Sequence, residues 1–488
     1  MSDLKYKFQL YRKLEREKDE IYAEARKAAA VLNIPAGLQG NFGLTGAISG
    51  CPAPIRNDIL AATEIGAKKV IPLKSLIDEM REIVKDVYGD GYDVVATPTC
   101  EAALWLSFDV LATPPNQGRG DNYRARYISL YEKHLHHHGS YGRPFPGKYK
   151  DILSDRGSTA GELGFYGKRQ NNLDVIIARL VGANYEPHGI KYYPTLQLTG
   201  VDPKASIARI KEIACRHENM LTAITSLGYD TPGYGYGVHD REGAPLLQRL
   251  LGELAEEYDI PYIVDNAWGL PFVGTDISKI KADVMAYSMD KATGAPTSGL
   301  IIGKEEIIVQ LRRALGMHGD RWGTTASYGK AAYVIFDPGK EALLGQIAAL
   351  KALRNRPEIY TKPVDETYEI VVAEFEKIPP ELRKGIVISK SYNSGTVEVN
   401  YEQTWQGNQF GIPIFSIEDM YASSHLIQTG LKQMGIIPTI AYDGNIFISP
   451  GQGTTDLAGN LLEDRMRLAV RGLVELLMIV ARHAEIIN

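Results

Sequence analysis

The segment Tyr262-Ile263-Val264-Asp265-Asn266-Ala267-Trp268-Gly269 delivers an acid to the end of an apolar run. The β-branched and aromatic residues ahead of Asp265 predict a short strand buried on both faces, and the Asn-Ala-Trp-Gly that follows predicts a turn. Asp265 then stands at the carboxyl edge of a strand, where open α/β sheets bind ligands. By itself it could equally be a strand-ending residue that caps the next turn.

Working outward, apolar strands alternate with helical patterns. Helix Pro245 to Tyr258 precedes the segment, and strand Val284 to Ser288 follows it. Further upstream come strand Val94 to Thr97, helix Glu101 to Leu111, strand Ala125 to Leu130, helices Asn172 to Val181 and Pro203 to Arg216, and strand Met220 to Ser226. Downstream lie strand Leu300 to Ile302 and helix Glu305 to Leu315. This rhythm predicts an α/β protein whose mainly parallel sheet is covered by helices on both faces. Phe8 to Leu32 reads as an exposed amphipathic helix, and the Gly-rich stretch after it as an arm that packs on a partner or over a cleft. The expected division is an N-terminal arm at 1–60, a large domain at 61–330 and a smaller C-terminal α+β domain at 331–488. The smaller domain has strands Thr396 to Tyr401 and Asn445 to Ile448 and a long terminal helix. Asn116 to Gly167, rich in Gly, Pro, Tyr and His, is too long for a plain connector and is read as functional.

Composition narrows the classes. The 488 residues are 44% apolar, ample for a core, and 54 basic against 59 acidic side chains give a net charge of −5, which offers no footprint for nucleic acid. The apolar run Gly472 to Val480 is interrupted by Glu475 and falls short of the roughly 20 residues of a membrane span. The charged first twenty positions carry no export signal, so a cytoplasmic protein is expected. Cys51, Cys100 and Cys215 lie too far apart for a disulfide framework or a metal knuckle. No GxGxxG or GxxxxGK[ST] string follows an expected strand, which weakens a nucleotide-binding reading.

A second strand end carries the complementary group. Ala286-Tyr287-Ser288-Met289-Asp290-Lys291-Ala292-Thr293-Gly294-Ala295-Pro296 sets Lys291 among small and apolar residues. Burial favours the neutral form of an amine, and a neutral amine is what a Schiff base requires. A solvated surface lysine is the competing reading. Upstream, Ala96-Thr97-Pro98-Thr99-Cys100-Glu101-Ala102-Ala103 runs from a strand through a turn into a helix start, which can cradle a phosphate or be simply a helix capped by Thr99.

The Asp265 and Lys291 pair resembles the fold-type-I pyridoxal-phosphate enzymes, the aspartate-aminotransferase-like superfamily, over roughly residues 90 to 330. The resemblance implies a seven-stranded-type sheet and pyridoxal 5'-phosphate as cofactor. Asp265 would pair with the ring nitrogen, Lys291 would bind the aldehyde as a Schiff base, and Ala267 would lie against the ring. Thr99, Cys100 and Glu101 match the family's phosphate loop, and Ser226 and Ser288, each at the end of an expected strand, would contribute to binding the cofactor. In the tract Lys133 to Ser140, His137 or His138 would stack on the ring, with exposed histidines or a metal site as the other readings; no metal is assigned. Cys100 as a nucleophile is disfavoured, because a bound phosphate would repel its thiolate.

Asp320-Arg321-Trp322-Gly323-Thr324-Thr325 is similar to the segment by which cysteine-desulfurase-like dimers reach the partner's phosphate. Thr324 would then serve the neighbouring site in a homodimer or a multiple of one. Locally, Asp290-Lys291 with Gly294, Pro296, Gly299 and Arg312-Arg313 is most similar to the selenocysteine-synthase-like group, which expels a β-substituent from serine-like substrates. Lyase or β-replacement chemistry on an amino acid or related amine is therefore expected ahead of transamination. A catalytically inactive relative that only binds is a third option, and retention of Asp265, Lys291 and the loop speaks against it. The C-terminal arginine that many members use for the substrate carboxylate is missing before Ile448-Ser449-Pro450-Gly451, so either another residue such as Arg143, Arg169 or Arg313 takes the carboxylate or the substrate is not a simple α-amino acid.

Overall fold

The computed structural model describes residues 7–45, 53–112, 125–131, 143–144, 173–180, 201–232, 235–315, 338–404, 426–442 and 445–487. Two sheets organise them. The larger has the order β1-β8-β7-β6-β5-β2-β4-β3, from β1 (Tyr92–Thr97), β2 (Ala125–Tyr131), β3 (Arg143–Pro144), β4 (Leu173–Arg179), β5 (Leu221–Leu227), β6 (Tyr262–Asp265), β7 (Val284–Ser288) and β8 (Gly299–Lys304). From β7 to β3 every pairing is parallel, and β8 alone runs antiparallel between β7 and β1. The sheet is thus mainly parallel, as the alternation predicts. Because β8 reverses between them, β1 and β7 point the same way, so Thr97, Asp265 and Ser288 finish at one edge.

Val284 to Ser288 is buried along its whole length, and so is Tyr262 to Asp265. That is the pattern of central strands covered on both faces. Helix Leu246–Tyr258 ends where Asp259 adopts a left-handed conformation, and Asp283 Oδ2 accepts from the Tyr262 N–H at 2.7 Å as β6 begins.

The second sheet, antiparallel throughout, has the order β11-β12-β10-β9, from β9 (Val387–Ser391), β10 (Thr396–Asn400), β11 (Ile440–Tyr442) and β12 (Asn445–Ile448). Helices Glu358–Phe375 and Glu463–His483 complete its core.

Several expectations are corrected. Leu173–Arg179, expected within a helix from Asn172 to Val181, is a strand paired in parallel with β2, because the Val-Ile-Ile run gains more from the sheet than from a helix. The N-terminal helix breaks at Glu17 into Lys7–Arg16 and Lys18–Val31. It is not an exposed arm, since Leu10, Leu14, Ile21 and Ala25 are fully buried in the smaller core. Helix Lys340–Asn355, beyond residue 331, contributes Leu343, Ile347 and Leu350 to the larger core. We propose a division of the described residues by packing: those within 57–355 around the large sheet, and those within 7–45 and 358–487 around the small one.

Candidate active site

The site is built at the carboxyl edge of the large sheet. Register sets its face: Leu227 pairs with Asp265, Asp265 with Ala286, Ser288 with Gly299, and Gly299 with Thr97. Paired residues share a face, so Asp265, Ser288 and Thr97 look to the same side. Helix Cys100–Ser107 lies on that side. A Cβ on Gly299 would collide with the Thr99 carbonyl, so the glycine lets the turn before the helix sit against β8.

Asp265 is 3% exposed, and its Oδ1 accepts from the Ala267 N–H at 3.1 Å. Its carbonyl accepts from the Gly228 N–H at 2.7 Å. The next residue, Asn266, exchanges two amide hydrogen bonds with Asn393 of the β9–β10 turn, at 3.0 and 2.9 Å. Asn393 also donates to the Gly228 carbonyl at 2.8 Å and accepts from the Thr275 N–H at 2.9 Å. A residue of the small sheet therefore pins the turns around Asp265, a role with no local signal in the sequence.

Lys291 follows β7 in a turn held by Ser288, whose hydroxyl donates to Asp290 Oδ1 at 2.6 Å, and by Gly294 at φ +65°. The ammonium stands 5.7 Å from the Trp268 ring centroid. Trp268 in turn packs edge-on against Phe447 of β12, with centroids 5.6 Å apart. Lys291 is half-buried and lines a solvent-accessible cleft between the sheets.

Thr99 caps helix Cys100–Ser107 by accepting from the Ala102 N–H at 3.1 Å. Thr99 and Glu101 are exposed at this end, and Cys100 is buried. Burial pushes the Cys100 thiol well up, the Asp265 charge adds to this, and Lys291 opposes it. The helix start thus lies within electrostatic reach of both Asp265 and Lys291, and the Cys100 thiolate is disfavoured.

Ser226 is corrected. It pairs with Val264, on the face opposite Asp265, and its hydroxyl is satisfied by the Tyr262 hydroxyl at 2.6 Å. Arg313 is exposed on helix Glu305–Leu315 and does not line the cleft. His137, His138, Arg169 and Thr324 lie outside the described residues, as does the side chain of Arg143. What the sequence reading missed is Arg56. It lines the same cleft as Lys291, with its guanidinium 4.5 Å from the Tyr360 ring centroid. The only local cue was its place at the end of the Gly- and Pro-rich stretch. Among the described residues no cluster of metal-ligating side chains occurs, and no helix is long and apolar enough to cross a membrane.

A mainly parallel sheet with one reversed strand, a helix start at its carboxyl edge and a second, small antiparallel sheet make up the α/β architecture. No family model matches the sequence. Over 104 residues, 19% of this chain, it is 31% identical to an L-seryl-tRNA(Sec) selenium transferase of Mannheimia succiniciproducens, and the match spans about a fifth (21%) of that relative's length. In structure it is similar to a chain of the SepCysS–SepCysE N-terminal domain complex, with a TM-score of 0.51 and 13% identity over 91% of this chain and 96% of that one. A ureidoglycine–glyoxylate aminotransferase of Bacillus subtilis gives a TM-score of 0.47 at 12% identity, over 90% and 94% of the two chains. The first structural likeness establishes the shared fold.

Proposed function

We propose that this chain is a pyridoxal-phosphate-dependent enzyme acting on an amino acid or related amine by lyase or β-replacement chemistry. The observation that carries the reading is Lys291: an amine that makes no side-chain hydrogen bond or ion pair among the described residues, lining a cleft in the turn after β7, the strand that pairs with the one ending in buried Asp265. The donor set fits the cofactor. The capped start of helix Cys100–Ser107 offers N–H groups and a positive dipole end for a phosphate, and Asp265 offers a desolvated carboxylate for a protonated ring nitrogen. The partial identity to a selenium transferase supports β-replacement.

When bound, the cofactor supplies an electron-poor ring that stores the electron pair released at the substrate's α-carbon. Asp265 would keep the ring-nitrogen proton in place, with the Ala267 N–H fixing the carboxylate's orientation. Lys291 Nζ would remove and return the proton at the α-carbon, while Trp268 and Phe447 keep water from that side of the cleft. A shared homodimeric site belongs to the same reading.

The test is spectroscopic and then chemical. Wild-type protein with added cofactor should develop a visible band that borohydride removes, and Lys291→Ala should stay colourless; a colourless wild type overturns the reading. Incubation with single amino acids should then give keto acid with ammonia or sulfide and no co-substrate. Keto acid formed only with an added amino acceptor would mean transamination instead.

A further inference from the structure

The described residues lining the cleft include two cations, Arg56 and Lys291, and no aspartate or glutamate. Arg56 is held as a built feature. Its side chain is 11% exposed, and its Nε and Nη2 donate to the two Asp58 oxygens at 3.1 and 3.4 Å. It also rests on the Tyr360 ring, whose hydroxyl donates to the Thr293 carbonyl at 3.3 Å, in the turn that carries Lys291. Asp58 accepts a further hydrogen bond from Arg356 at 2.8 Å. Two guanidinium groups thus share one carboxylate, so Arg56 is only partly neutralised by Asp58; of the three, Arg56 alone lines the cleft.

A nearly buried guanidinium that is only partly neutralised favours an anion, and its planar fork suits a carboxylate or phosphate more than a point charge would. Once Lys291 is engaged in chemistry, Arg56 is the cation left in the described lining. It arrives from a segment far from the stretch near Ile448, where the sequence has no arginine.

We propose that Arg56 is the specificity-determining residue of this cleft, recognising an oxyanion, either carboxylate or phosphate, on the substrate amine. The inference rests on the functional reading above and names the substrate class for it.

The test titrates cofactor-loaded protein by calorimetry with maleate, with inorganic phosphate and with uncharged maleamide. Wild type should bind at least one of the two anions and not maleamide, and the anion preferred tells carboxylate from phosphate. Arg56→Gln should weaken that anion by about tenfold or more, Arg56→Lys should recover part of the loss, and cofactor uptake should be unchanged. Asp58→Asn keeps the guanidinium and removes its acid, so it should bind the anion at least as tightly as wild type. Failure of wild type to bind either anion, undiminished binding by Arg56→Gln, or equal loss in Arg56→Gln and Asp58→Asn overturns the proposal. So does a loss of cofactor uptake in Arg56→Gln, which would assign the arginine to the cofactor's own phosphate. If no variant takes up cofactor, the functional reading fails separately, and the titration is read on the protein as purified.

Discussion

The positions of Lys291 and Asp265 at strand ends were legible because strand ends are local properties of a chain: Asp265 closes β6, and Lys291 follows β7 by three residues. Replacing Asp265 with Asn keeps its shape and removes its charge. Turnover should fall by about 10²- to 10³-fold, the usual cost of removing one fixed group that stabilises charge in the reaction, with the fold intact by circular dichroism. Cys100 gives an independent check. Its thiol is buried and pushed up by that burial, whereas Cys215 is exposed. Brief iodoacetamide treatment of native protein at neutral pH, followed by mass spectrometry, should therefore label Cys215 and spare Cys100. Labelling of both at equal rates would contradict the packing of the helix against the sheet. Ser226 was misread because its strand end was recognisable but its facing was not. A shift of one residue turns a side chain to the other side of the sheet, and only the pairing with β6 settles which.

At the scale of elements, the Asn393 turn shows what a linear reading cannot reach. Its partners at Asn266, Gly228 and Thr275 lie in the other sheet, so no spacing rule links them. Asn393→Ala would take the Thr275 N–H from its acceptor and remove one hydrogen bond from the Gly228 carbonyl and two from the Asn266 amide, all of them buried. The expected cost is about 1–3 kcal/mol, read by denaturant unfolding, together with slower turnover because the turn after Asp265 loosens. Gly299→Ala should cost a similar 1–3 kcal/mol, since its Cβ must push the Thr99 carbonyl away. It should also weaken cofactor uptake, because that turn begins the expected phosphate loop. An unchanged affinity for cofactor would detach the helix start from that role. The strand Leu173–Arg179 was mistaken for a helix for a different reason: a short apolar run carries too little periodicity to separate the two, and its β2 partner is remote in sequence.

Across the whole molecule, the small core is tied together by Glu374. Its side chain is 1% exposed, and it pairs with Lys377, Arg467 and Arg471. Burial pushes this carboxyl up, but the hydrogen bonds and charges of Lys377 and Arg471 outweigh that and hold it below the ordinary value of 4.5. A folded value below the unfolded one means the contribution is complete above about pH 4.5 and is lost as pH falls through the folded value. Glu374→Gln should therefore be less stable than wild type near neutrality, and the gap should close in acid. Denaturant midpoints measured across that range check it; a constant gap would mean the charge is irrelevant. The α/β class was readable from alternation along the chain. The assignment of residues 7–45 to the small core was not, because Leu10, Leu14, Ile21 and Ala25 find their partners only in three dimensions.

Because Asn393 bonds to two turns beside Asp265 at once, it would be the fulcrum of any rotation of the small sheet. Any swing of the small sheet that keeps those four hydrogen bonds must pivot there, so displacement grows with distance along the lever. The acid stays nearly still, the outer rim takes the travel, and a substrate could be admitted and clamped without disturbing the carboxylate at the hinge's axis.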